Sequence, residues 1–122
     1  MARIDKYEPK SGGFRAPLVA SWAGQAAPVA VSLDSSGRVV VGAAGQTGMC
    51  GVLCKPDAAP AGTFVDIMTD GEIVEAGLAA GTVYFANATT GALQTGVTQW
   101  RVGHTVEASR LIVRFDDRGA TP

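Results

Sequence analysis

One histidine, two cysteines and a thin scatter of carboxylates are the residues of this 122-residue chain that could do chemistry. Nucleophilic catalysis needs a serine or cysteine beside a base that a third group orients, and His104 is the only imidazole available to act as that base. It stands in Arg101-Val102-Gly103-His104-Thr105-Val106, where apolar and polar residues alternate as on a strand, the setting of a surface or packing histidine. Cys50 and Cys54 are too few for a secreted disulfide framework and read as ordinary semi-buried thiols, with a local disulfide left open. A zinc site would need about four ligands, which His104 and two thiols do not make. The carboxylates fall in pairs, Asp66 with Asp70, Glu72 with Glu75 and Asp116 with Asp117, at turns or strand tips where solvation accounts for them. The run Gly42-Ala43-Ala44-Gly45-Gln46-Thr47-Gly48 invites a phosphate-loop reading. Its glycine spacing fits neither the dinucleotide fingerprint nor the Walker loop, and no helical pattern opens after it, so a loop or crossing of close backbones is expected. No catalytic, cofactor-binding or metal-binding residue is expected anywhere in the chain.

Composition points the same way, toward binding rather than reaction. The apolar fraction of 47% is rich in alanine, which offers little area to bury, so the core is thin for the length. The large apolar side chains, among them Trp22, Phe64, Ile67, Tyr84, Phe85, Trp100, Ile112 and Phe115, are spread out, and contacts between subunits are expected to add stability. A net charge of −1 gives no general attraction to nucleic acid or an anionic membrane surface. No apolar run reaches the ~20 residues of a membrane span, and the N-terminus lacks the features of a secretory signal, so synthesis in a cytoplasm is expected. Charge is unevenly placed: Arg3, Lys6, Lys10 and Arg15 face only Asp5 and Glu8 within the first sixteen residues.

The elements that must carry these residues are strands. Residues 1–16 show no period and contain Pro9 and Ser11-Gly12-Gly13, which predicts an extended basic arm that takes order only by packing on another surface. Residues 17–122 form a single domain. Leu18, Ala20 and Trp22 alternate, as do Val29, Val31 and Leu33, and Asp34-Ser35-Ser36-Gly37 is a turn that makes 29–33 and 38–41 a hairpin. Residues 49–54 continue the pattern before a proline-broken connector at 55–62. Asp70-Gly71, between apolar runs at 63–69 and 72–76, is a strong hairpin signal. Further strands are expected at 82–86, 92–95, 100–106 and 111–115. Helical periodicity is absent beyond a single turn at 76–80 or 106–109. The predicted fold is all-β, a small barrel or sandwich with an extended N-terminal arm.

The order of pieces in the second half carries a resemblance. Gly51-Val52, Ala61-Gly62 with Phe64-Val65, Gly71-Glu72-Ile73, Ala80-Gly81 with Val83-Tyr84, and Val102-Gly103 through Glu107-Ala108-Ser109 recur in a pattern similar to that of the small capsid decoration, or cement, proteins of tailed bacteriophages. It covers about half the chain and contains no active-site signature. The longer basic leader departs from the family pattern, in which the first strand comes sooner.

That resemblance implies a β-tulip-like virion protein on the exterior of an assembled head, often trimeric, that bridges neighbouring major capsid protein subunits. The arm, through Arg3, Ile4, Tyr7, Phe14 and Arg15, is then the expected capsid contact, and Trp22, Tyr84 and Trp100 are candidates for the oligomer surface or the core. Many weak contacts from one oligomer add up on a lattice. Two other classes stay open: a different virion part, such as a head fibre, tail-tube or baseplate protein, and a carrier-like barrel. The carrier reading requires a modifiable lysine at a hairpin tip, and no lysine follows Lys55.

Overall fold

The structure, a computed structural model, describes residues 13–25, 27–74, 78–107 and 109–117. These residues form ten strands: β1 (Gly13–Pro17), β2 (Val29–Leu33), β3 (Val39–Val41), β4 (Met49–Leu53), β5 (Phe64–Met68), β6 (Asp70–Val74), β7 (Val83–Ala86), β8 (Leu93–Gln94), β9 (Trp100–Glu107) and β10 (Arg110–Asp117). They make two five-stranded antiparallel sheets, ordered β1-β5-β4-β2-β3 and β6-β10-β9-β7-β8. The all-β expectation holds, and of its two forms the sandwich is the one observed.

Register explains where the core sits. Ala30 pairs with Val52, and Val52 with Met68, whereas their neighbours Val29, Leu53 and Ile67 pair one step along and point to the opposite face. Ala30, Met49 and Val52 therefore pack with Ile73, Tyr84, Ala86, Val102, Leu111 and Val113 of the second sheet. Val29, Val31, Val39, Leu53, Val65 and Ile67, with Ala16 and Leu18, form a second cluster on the other face of the first sheet. An isolated parallel bridge from Leu18 to Val39, with the Val19 N–H donating to the Val39 carbonyl at 3.0 Å, curls that sheet around this second cluster. With both faces covered, β2 is buried at four of its five positions. Each fully buried Val, Leu or Ile side chain contributes about 1.5–3 kcal/mol, so two modest clusters can hold a chain short of large side chains.

Three expectations about the elements change. The Asp70-Gly71 signal does not make a hairpin: β5 lies in the first sheet and β6 in the second, where β6 pairs with β10 from Arg110↔Val74 to Arg114↔Asp70. The buried residues decide this, because Val65 and Ile67 belong to the second cluster while Ile73 belongs to the inter-sheet core. The alternating segment from Leu18 to Trp22 is no strand and contributes isolated bridges, Leu18 to Val39 and Trp22 to Ala59. A strand begins earlier instead, at Gly13, so residues 13–16 of the expected arm pair with β5. The 29–41 hairpin, by contrast, forms with Val31↔Val41 and Leu33↔Val39 in register.

Candidate interaction surface

Strand β1 is an edge strand, and it presents the part of the expected arm that the structure describes. Gly13 pairs with Met68, and a side chain there would collide with the Ile67 carbonyl, so the close approach of β1 to β5 requires glycine. Phe14 is half-buried and packs on the second cluster opposite Ile67. Arg15 points outward, pairs with Asp66 at 3.0 Å and donates from Nη2 to the Phe64 carbonyl at 3.4 Å. Both partners are well exposed, which limits this ion pair to about 0–1 kcal/mol. Phe64, at the same edge, is 59% exposed and is the largest exposed apolar side chain described. Arg3, Ile4 and Tyr7 lie outside the described residues.

The three aromatic candidates are placed inside the chain's own packing. Trp22 lies against the second cluster and donates from Nε1 to the Lys55 carbonyl at 2.8 Å, tying the 18–25 segment to the 55–62 connector. Tyr84 is buried in the inter-sheet core, where its hydroxyl accepts the Ala79 N–H at 2.9 Å. Trp100 is half-buried beside the same core, and its Nε1 is buried without a hydrogen-bond partner among the described residues.

His104, on β9 of the second sheet, is separated from Cys50 and Cys54, on and just past β4 of the first, and lines one groove with Asp70 and Asp116. His104 is exposed on β9, in register with Ile112 on one side and Val83 on the other, so neither neighbouring strand offers a nucleophile or an orienting carboxylate at its level. Cys50 and Cys54 are free thiols, and burial pushes both up from the usual thiol value. Among the described residues no group of three or more His, Cys, Asp or Glu could hold a metal ion.

The glycine-rich loop is occupied by its own fold. The N–H groups of Gly42, Ala43, Gln46 and Thr47 donate to the carbonyls of Ala30, Ala88, Leu33 and Leu33 again, and the Gly45 N–H donates to Ser32 Oγ. A phosphate cradle needs such donors free, and here they are spent on the chain.

Two buried hydroxyls that sequence reasoning passed over organise the loops. Ser32 is fully buried and holds the glycine loop, and Thr105 is 2% exposed and holds the 79–82 turn. Thr105 Oγ1 donates to the Ala79 carbonyl at 2.5 Å and accepts the Thr82 N–H at 3.0 Å. Ser32 falls on the polar phase of the Val29, Val31 and Leu33 alternation, so its burial follows only from the covering of both faces of β2.

A solved structure from Mycobacterium phage Patience is similar to this chain, with a TM-score of 0.75 at 20% identity over 94% of this chain and 96% of that one. No family model and no curated protein matches the chain. Likeness at this level shows a shared fold.

Proposed function

We propose that this chain is a structural virion protein that binds the outer surface of a phage capsid, as a homotrimer, and stabilises the head by bridging major capsid protein subunits. One observation carries the reading: the strand and turn order that resembles decoration proteins lies on a fold shared with a phage protein along nearly the whole chain. The role is non-catalytic, in keeping with the separation of His104 from both thiols, the candidate nucleophiles. The basic leader directly precedes the edge strand β1 in the sequence, and an edge can accept an added strand, which makes the leader the contact proposed here.

The test is a truncation that stops short of β1. Removing residues 2–12 spares Phe14 and the pairing with β5, and the shortened protein is expected to fold, to keep its oligomeric size by light scattering, and to lose co-sedimentation with heads that lack the protein. Full-length protein that fails to bind such heads overturns the decoration role. Truncated protein that binds as well as the full chain overturns the arm as the contact, and truncated protein that becomes monomeric reassigns the arm to exchange between protomers.

A further inference from the structure

The face of the second sheet turned away from the first carries a groove of about 510 Å³, lined by Asp70 of β6, Arg101 and His104 of β9, and Arg114 and Asp116 of β10, with Gly103 between. Its shape comes from irregular register. The β9–β10 pairing jumps from Val113↔Gly103 to Asp116↔Arg101, and the β9–β7 pairing shifts at the same place, between Tyr84 and Phe85. Two successive β9 positions thereby leave the outer face empty, because Val102 is fully buried in the core and Gly103 has no side chain. Bulges of this kind re-aim flanking side chains, here Arg101 and His104 across a gap.

Charge singles the groove out. Arg15, Arg38 and Arg110 are each ion-paired with a carboxylate of this chain. Arg101 and Arg114, the other two described arginines, have no such partner among the described residues, although each stands opposite an aspartate in register, Asp116 and Asp70. Two guanidinium forks left unpaired in one concavity suit a planar carboxylate, which they can bind bidentately. The flanking Asp70 and Asp116 offset the two arginines in formal charge, so the groove suits a single carboxylate held by the guanidinium forks rather than a polyanion.

We infer that this groove receives an acidic side chain of another protein, held by Arg101 and Arg114 with His104 beside it. The inference deepens the proposed role, on which it rests for the identity of the partner: the acidic segment belongs to the capsid surface.

The probe is a capped Gly-Asp-Glu-Gly peptide titrated into the full-length protein, followed by NMR of the arginine Nε–H and histidine ring signals. The Arg101 and Arg114 signals are expected to move, to move less in high salt, and to stay still with the Gly-Asn-Gln-Gly peptide. No movement, or equal movement with the amide peptide, overturns the site, and a stronger response to inorganic phosphate overturns it in favour of a phosphate site. On heads, the Arg101→Glu/Arg114→Glu protein is expected to bind at least about tenfold more weakly than the parent, with folding checked by circular dichroism. Parent protein that binds heads while the variant binds equally well overturns the groove and leaves the decoration role intact. Parent protein that ignores heads overturns that role, and the peptide titration then decides the groove alone.

Discussion

The Ser32 hydroxyl accepts the Gly45 N–H at 2.9 Å across thirteen residues of sequence, joining the most deeply buried strand to the middle of the glycine-rich loop. A loop that looked like a ligand cradle is thereby a tethered connection. Ser32→Ala removes the acceptor and leaves a part-buried N–H unsatisfied, which is expected to cost about 1–3 kcal/mol. Urea unfolding should show a lower midpoint with an unchanged slope, because the surface exposed on unfolding stays the same.

Thr105 plays the corresponding part in the second sheet, with its hydroxyl serving both the Ala79 carbonyl and the Thr82 N–H. Thr105→Val keeps the shape and deletes both bonds, so a loss of about 1–3 kcal/mol is expected. Hydrogen exchange should quicken at Thr82 first, since that amide loses its acceptor, while the amides of β10 stay protected.

Acid should loosen the 34–38 turn. The Asp34 carboxylate accepts the Ser36 and Arg38 N–H groups at 2.9 Å each and pairs with the Arg38 guanidinium. The Arg38 backbone amide is the largest cause holding its pKa below the ordinary carboxylate value, with burial opposing and the Ser36 amide and the Arg38 charge adding to it. A depressed folded pKa means that the stabilisation is complete above the unfolded value and is lost as pH falls through the folded one. Asp34→Asn is therefore expected to flatten the acid limb of a stability-versus-pH curve below about pH 4, and an unaltered limb would count against this account.

How far the sequence anticipates the fold depends on whether the signal is local. The 29–41 hairpin is legible because Asp34 and Gly37 sit between two alternating runs, and the closing Gly37 N–H to Asp34 carbonyl bond spans three residues. Strand β1 is hidden because Gly-Phe-Arg-Ala-Pro carries a glycine, a charge and a proline, and its partner β5 is about fifty residues away. The groove is hidden for the same reason. Arg101 and Arg114 are thirteen residues apart, and only the β9–β10 register and its shift bring them to one hollow, which no local pattern announces.

The two thiols should differ in reactivity. Cys50 is half-buried on β4, and its Sγ lies 3.8 Å from the Val31 carbonyl, whereas Cys54 is exposed just past the strand end. Burial raises both thiols, so little thiolate forms at neutral pH and alkylation of the folded protein should be slow. Mass spectrometry after iodoacetamide treatment is expected to show Cys54 modified before Cys50, and denaturant should bring the two rates together.

The crossing between sheets yields the sharpest test of the topology, because one residue, Thr69, separates β5 from β6. The Phe115 N–H donates to the Thr69 carbonyl at 3.0 Å, which anchors the crossing to β10, and Gly71 takes φ of 154°, a value that side-chain-bearing residues avoid. Downstream of it Glu72 stands opposite Ile112. A hairpin turning at Asp70-Gly71 would instead set Glu72 against Thr69. Antiparallel partners have Cα atoms about 4.5–5.5 Å apart, within the range a disulfide bridges. With Cys50 and Cys54 replaced by serine, Glu72→Cys/Ile112→Cys is expected to oxidise to an intramolecular bridge under mild conditions. Thr69→Cys/Glu72→Cys, the pair that a hairpin would face, should remain reduced, since the chain crosses between the sheets there. Bridging by the second pair and not the first would overturn the two-sheet assignment.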